Sequence, residues 1–177
     1  MYNLAPQYQW LAKEPGPQHL IEMLKIMGTK ETPGAGNTPA IMQWAKELGS
    51  FVGIDYKADS EAWCGIAAGI ALFRSGLNPP KICVRASSWD TVGTGVEIPA
   101  LGDFLRFSRD GGGHIGIYVG EDPGAYHVAG GNQSDMVNIT RVSKTRLATA
   151  RRVAARNMGN VRRVHLQPSG ALSANER

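Results

Sequence analysis

Two cysteines, four histidines and a scatter of carboxylates are the groups in this chain that could carry covalent chemistry. Cys64 stands where the acidic stretch Asp59-Ser60-Glu61 gives way to the apolar run Ala62–Phe73. The spacing predicts a helix starting near Ala62, with Ser60 or Asp59 as its cap. A thiol in the first turn would face unpaired N–H groups and the positive end of the helix dipole. Both favour thiolate over thiol, so the expected pKa is low and the sulfur nucleophilic. The same pattern also describes a buried, inert cysteine in an apolar helix. Other residues have to decide between the two.

A nucleophilic cysteine needs a base, and the base needs a group to orient it. His19 falls on an expected amphipathic helix and His165 in the C-terminal segment. His114 opens a strand directly after Gly111-Gly112-Gly113, where a ring can be presented at a sheet end. His127 is mid-strand and is the weaker rival for a place in the site. Asn132, in Gly130-Gly131-Asn132-Gln133, ends the next strand and could hydrogen-bond an imidazole, although Asn after Gly-Gly is also ordinary turn chemistry. Cysteine on a helix start, histidine at a strand start and a polar residue at the next strand end is the chain order of a cysteine hydrolase triad.

Other chemistries find less support. Gly111, Gly113 and Gly116 match GxGxxG, but no helix follows them, so dinucleotide binding is not expected. There is no Gly-x-Ser-x-Gly, no His-Glu-x-x-His and no paired-cysteine spacing, so neither a serine elbow nor a zinc site is expected. Asp55, Asp59 and Glu61 could hold calcium, but capping and solvated loop charge account for them more simply. No cofactor and no metal are expected. Cys64 and Cys83 form no CxxC; a reduced pair in a reducing compartment is the plain reading, with a bridge between them left open.

The elements that must position these groups divide the chain in two. Helical periodicity covers Gln18–Met27, a stretch opened by Thr38 and Pro39 and closed by Gly49, and a helix from Ala62 to Ser75 with Gly76 as its stop. Trp44 lies in phase with the apolar face of the second helix and reads as core. A short helix is expected at Ala86–Val92, and Gly93–Pro99 reads as loop. After Pro99 the pattern alternates, giving five strand-like runs: Asp103–Phe107, His114–Val119, Ala125–Ala129, Met136–Thr140 and Leu147–Val153. Helices first and antiparallel strands second make an α+β fold of about five strands.

The 177 residues are enough for one domain with a core. Residues 1–140 carry ten Lys/Arg against fourteen Asp/Glu, and residues 141–177 carry nine against one. The net +4 is therefore a property of the C-terminal end. That end has no aromatics between Arg141 and Arg163, so specific nucleic-acid binding by base stacking is not supported. Anionic wall polymers, a membrane surface or an acidic protein face fit its charge equally well. The N-terminus lacks the basic and apolar regions of a signal peptide. The longest apolar run is far short of the ~20 residues that span a bilayer.

Several segments in order resemble the papain-like bacterial and phage cell-wall hydrolases of the NlpC/P60 and CHAP superfamily, and more closely a phage-associated subgroup with a Trp-Cys motif. They are Trp10-Leu11-Ala12, Thr29–Gly34, Asn37–Ile41, Glu61-Ala62-Trp63-Cys64, Ala86-Ser87-Ser88-Trp89, Leu101–Leu105, His114–Gly120 and Gly130–Ile139. The resemblance covers about residues 8–153 and implies a papain-like fold. It implies Cys64 as nucleophile, His114 as base and Asn132 as the third member, with His127 as the alternative. Trp63, Trp89 and Asn37 are expected on the substrate groove. CHAP domains often carry Glu two residues before the corresponding Asn, and here that position is Gly130. The implied activity is hydrolysis of peptidoglycan, as a cysteine endopeptidase or an N-acetylmuramoyl-L-alanine amidase, during phage entry or lysis. The implied localisation is synthesis in the host cytoplasm and action on the wall. Residues 1–154 would form the hydrolase domain. Residues 155–177 have no counterpart and would be a basic extension, a candidate for contact with phage tail or other virion proteins. A virion structural role that keeps the fold for assembly is the alternative function.

Overall fold

The computed structural model describes residues 1–174; Arg177 of the basic extension lies outside them. Three α-helices precede an antiparallel sheet: α1 (Gln18–Lys25), α2 (Pro39–Leu48) and α3 (Cys64–Arg74). The sheet has six strands, β1 (Thr94–Gly95), β2 (Phe104–Arg109), β3 (Gly112–Glu121), β4 (Ala125–Gly130), β5 (Asn138–Ser143) and β6 (Leu147–Arg152). Their order across the sheet is β1-β6-β2-β3-β4-β5. The α+β class read from the sequence is therefore the class of the fold.

Strand alternation builds two cores. Phe104, Ile115, Ile117, Val119 and Ala129 face the helices and join the main cluster. Leu105, Phe107, Tyr118, Val128, Val142 and Ala150 form a second cluster on the other face. Helix α3 is the centre of the first. Every residue from Cys64 to Leu72 is buried, which explains why its sequence is apolar all round. Its small residues let the chain approach closely: a Cβ on Gly65 would stand 2.1 Å from the Cys83 carbonyl oxygen.

The expected elements are mostly present with shifted ends. A 3-10 helix at Pro6–Lys13 and the short β1, inside a stretch read as loop, were not anticipated. β5 starts two residues later than the alternation suggested. Residues 136 and 137 are drawn off toward the N-terminal loop instead: Lys30 bridges Met136, Gly28 N–H donates to Val137 O at 2.8 Å, and Val137 N–H donates to Thr29 O at 2.8 Å.

Residues 155–174 lie against the body of the protein. Gln18 N–H donates to Asn157 O (2.9 Å), Leu101 N–H to Arg162 O (2.9 Å), Glu121 N–H to Val164 O (2.8 Å), Leu166 N–H to Glu121 O (2.8 Å) and Ser173 N–H to Arg141 O (2.7 Å). No helix of the described residues is long and apolar enough to cross a membrane.

Candidate active site

Cys64 is the first residue of α3, as the composition of its run implied, but its cap is different. The residue at the N-cap position is Trp63, with no side-chain capping bond. Ser60 is exposed. The Asp59 carboxylate has turned to the other helix and accepts the Thr38 N–H at 2.7 Å, beside the start of α2. Asn37 Oδ1 fixes it there by accepting the Asp59 N–H at 3.0 Å. Asn37 is thus an exposed strut of the capping loop. Asp55 pairs with Lys57 at 2.9 Å, and Glu61 accepts the Lys57 N–H at 3.3 Å. The three carboxylates have local partners of their own. No group of three or more His, Cys, Asp or Glu among the described residues could hold a metal ion.

The thiol does not have the low pKa expected of a helix start. Cys64 is 2% exposed, and burial pushes its thiol up. Against this work the Ile115 N–H, the charge of Arg109 and the N–H groups of Gly65 and Cys64 itself. The helix-start effect is present, and desolvation outweighs it. The Ile115 contact also locates the sulfur. In an antiparallel strand the N–H and C=O of one residue point to the same side. A Cβ on Gly130 would lie 3.4 Å from Ile115 O, so that side is where β4 ends. The sulfur therefore sits at the end of β4, against the β3 backbone, one peptide unit from His114.

His114 is fully buried near the start of β3, opposite Phe107 of β2. Their rings stack with centroids 6.4 Å apart. His114 Nε2 lies 3.0 Å from Oε1 of Gln133, the residue after the expected Asn132. The Gln133 amide cannot be turned round. Its Nε2 is ringed by Val128 O, Gly130 O, Asn138 O and Asn138 Oδ1 at 2.9–3.3 Å, so the oxygen must face the imidazole. Gln133 Oε1 accepts, His114 Nε2 carries the proton, and Nδ1 keeps the lone pair that a base requires.

The turn that delivers Gln133 is unusual. Asn132, Ser134 and Asp135 all have left-handed backbone, with φ of 56°, 52° and 58°. Such conformations cost roughly 1 kcal/mol or more each outside glycine and cluster where geometry is functional. Asn132 is itself buried, at 2% exposure, in this turn. Tertiary contacts hold the turn: Glu31 N–H donates to Asp135 O at 2.8 Å. A Cβ on Gly131 would stand 2.4 Å from Ala67 Cβ and 2.7 Å from the Trp63 ring, so this glycine lets the turn close on α3.

The two tryptophans expected on the groove are core residues instead, each 0% exposed. Trp63 packs against Trp44 and donates its indole N–H to Glu31 Oε2 at 2.9 Å. Trp89 packs at a tilt on Phe104 and donates to Cys83 O at 2.9 Å. His127 also stands apart from the thiol's surroundings, between Tyr8 Oη (2.6 Å from Nδ1) and Asp122 Oδ2 (3.0 Å from Nε2). Arg141 joins the same carboxylate at 2.7 Å. Burial lowers the His127 pKa, so it is held neutral. His19 is likewise buried, with Nε2 donating to Gly102 O at 2.6 Å.

Tyr56 lies close enough to Cys64 for the two to interact electrostatically. Burial pushes its hydroxyl pKa up, and the charges of Asp59, Glu61, Glu31 and Cys64 add to that. The loop bank around Tyr56 is thus acidic. Cys83 is a second free, buried cysteine, with its thiol pushed up to about 12 by burial. No protein-family model matches the chain, and no curated protein matches it.

Proposed function

We propose that this protein is a papain-like cysteine hydrolase of the NlpC/P60–CHAP type that cuts an amide bond of peptidoglycan. The observation that carries the reading is the Cys64 sulfur at the start of α3, held against the Ile115 N–H beside a histidine whose Nε2 is tied to Gln133. Because burial keeps the thiol protonated at rest, His114 Nδ1 takes its proton as the sulfur attacks the carbonyl carbon. The N–H of Cys64 at the helix start faces the developing oxyanion. The imidazolium then protonates the leaving amine as the C–N bond breaks. Water, deprotonated by His114, opens the thioester, which restores the thiol and releases the carboxylic acid. Gln133 holds the ring in the tautomer that both steps use. The action on the wall would occur during phage entry or lysis.

Cys64→Ala tests this directly. Purified wild type is expected to clear cell walls, and the variant to lose that activity while melting at the same temperature. Retained clearing by the variant would sink the mechanism. Mass spectrometry of the digest identifies the bond: a new free amine on a stem residue means an endopeptidase, and free lactyl ends on muramic acid mean an amidase.

A further inference from the structure

Arg109 stands apart among the arginines near the site. The pairs Arg109↔Gly112 and Phe107↔His114 put Arg109, Phe107, Gly112 and His114 on one face of the β2–β3 hairpin. Gly112 leaves room on that face, and the guanidinium folds over it: a Cβ there would lie 3.6 Å from Arg109 Nη2 and 3.8 Å from Cζ. A two-residue step of strand takes Gly112 to His114, a spacing of about 7 Å. Among the described residues, the guanidinium's hydrogen bond runs from Nε to Gly113 O at 3.2 Å. Among the described residues it makes no ion pair, whereas Arg106 on the same strand is closed by Asp90. Its positive field reaches the Cys64 sulfur. Tyr56, within electrostatic reach of the same sulfur, has Glu31, Asp59 and Glu61 around it.

We infer that Arg109 is a specificity residue that binds a carboxylate of the substrate, on the residue that supplies the leaving amine. The side of the site follows from the proposed chemistry: His114 delivers its proton to the leaving amine, and Arg109 lies beyond His114. The group follows from shape and charge. A guanidinium with both Nη atoms open offers the planar fork that a carboxylate matches in two parallel bonds. Stem peptides of peptidoglycan carry carboxylates that can be free or amidated, so the residue would distinguish the two forms.

This inference rests on the hydrolase reading, and the experiment separates the two. Paired synthetic stem peptides are used, identical except that the carboxyl on the leaving residue is free or amidated. Wild type is expected to cleave the free acid with about 10- to 100-fold higher kcat/KM, the range of a charge-assisted bond. Arg109→Gln should bring that ratio to about one, whatever loss the two peptides share through the thiol, and Arg109→Lys should retain part of it. A merely structural fault would slow both peptides equally. Equal rates on both peptides for wild type, or an unchanged ratio in Arg109→Gln, would overturn the role of Arg109 and leave the hydrolase reading standing. If wild type cleaves neither peptide and releases nothing from whole walls, both fall together.

Discussion

At the scale of single residues, the imidazole partner is the informative one. The positions of Cys64 at a helix start and His114 near a strand start were legible because each sits where local pattern changes, acidic turn to apolar run and glycine run to alternating strand. The contact of Gln133 Oε1 with His114 was not anticipated. Gln133 follows the expected Asn132 in the same turn, and its aim at the ring depends on backbone angles that composition does not disclose. Three left-handed residues around Gln133 aim its Oε1 at Nε2. The thiol's ionisation was read with the wrong sign for a related reason: the dipole is visible in a helix start, while the depth of burial is a product of the whole fold. If Gln133 orients the base, Gln133→Ala should lower kcat about 10- to 100-fold, the usual scale for a group that acts through a catalytic one, with little change in KM. Asn132→Ala should cost less. Steady-state kinetics on one muropeptide decides it, and the reverse ranking would return the role to Asn132.

At the scale of elements, α3 and the β4 end act as one clamp. Helix α3 carries the sulfur, and Gly131 allows the turn bearing Gln133 to close on Ala67 and Trp63. This explains why neither tryptophan lines a groove: Trp63 is the surface on which the turn rests, and Trp89 braces β2 through Phe104. From sequence, an aromatic beside a nucleophile reads equally well as wall or floor, because residue type says nothing about which side of the loop it faces. A Cβ at residue 131 would meet helix atoms on both sides, so Gly131→Ala must push the turn off α3. Overpacking of this kind costs about 1–3 kcal/mol. The expected outcome is a lower melting temperature together with a kcat loss larger than that of Gln133→Ala, since the whole turn moves. A variant with wild-type stability and rate would show that the clamp is slack.

At the scale of the whole molecule, the charge asymmetry of the sequence has an internal explanation. Arg152 pairs with Asp103, Arg141 with Asp122, Lys144 and Arg163 with Glu121, and Arg162 with Glu14. Five basic residues of the C-terminal end thus answer acids of the body. Glu121 shows the coupling: burial alone would raise its pKa, yet Arg163, Lys144 and the Tyr118 hydroxyl lower it to about 2. Removing residues 155–177 would therefore strip a structural strap. The Glu121 carboxylate, 4% exposed, would keep Lys144 but lose Arg163. The backbone groups of Gln18, Leu101, Glu121 and Arg141 would lose their bonds to the tail. Leu166 would leave the face of Gly120 that it covers. Each unmet buried polar group costs about 1–3 kcal/mol, and whole domains hold only about 5–15 kcal/mol. The truncated chain is expected to melt at least ~10 °C lower or to be recovered insoluble, and to lose hydrolysis and wall binding together. A truncated protein with an unchanged melting temperature that still cleaves soluble muropeptides, but no longer binds walls, would restore the segment to the role of a detachable cationic arm.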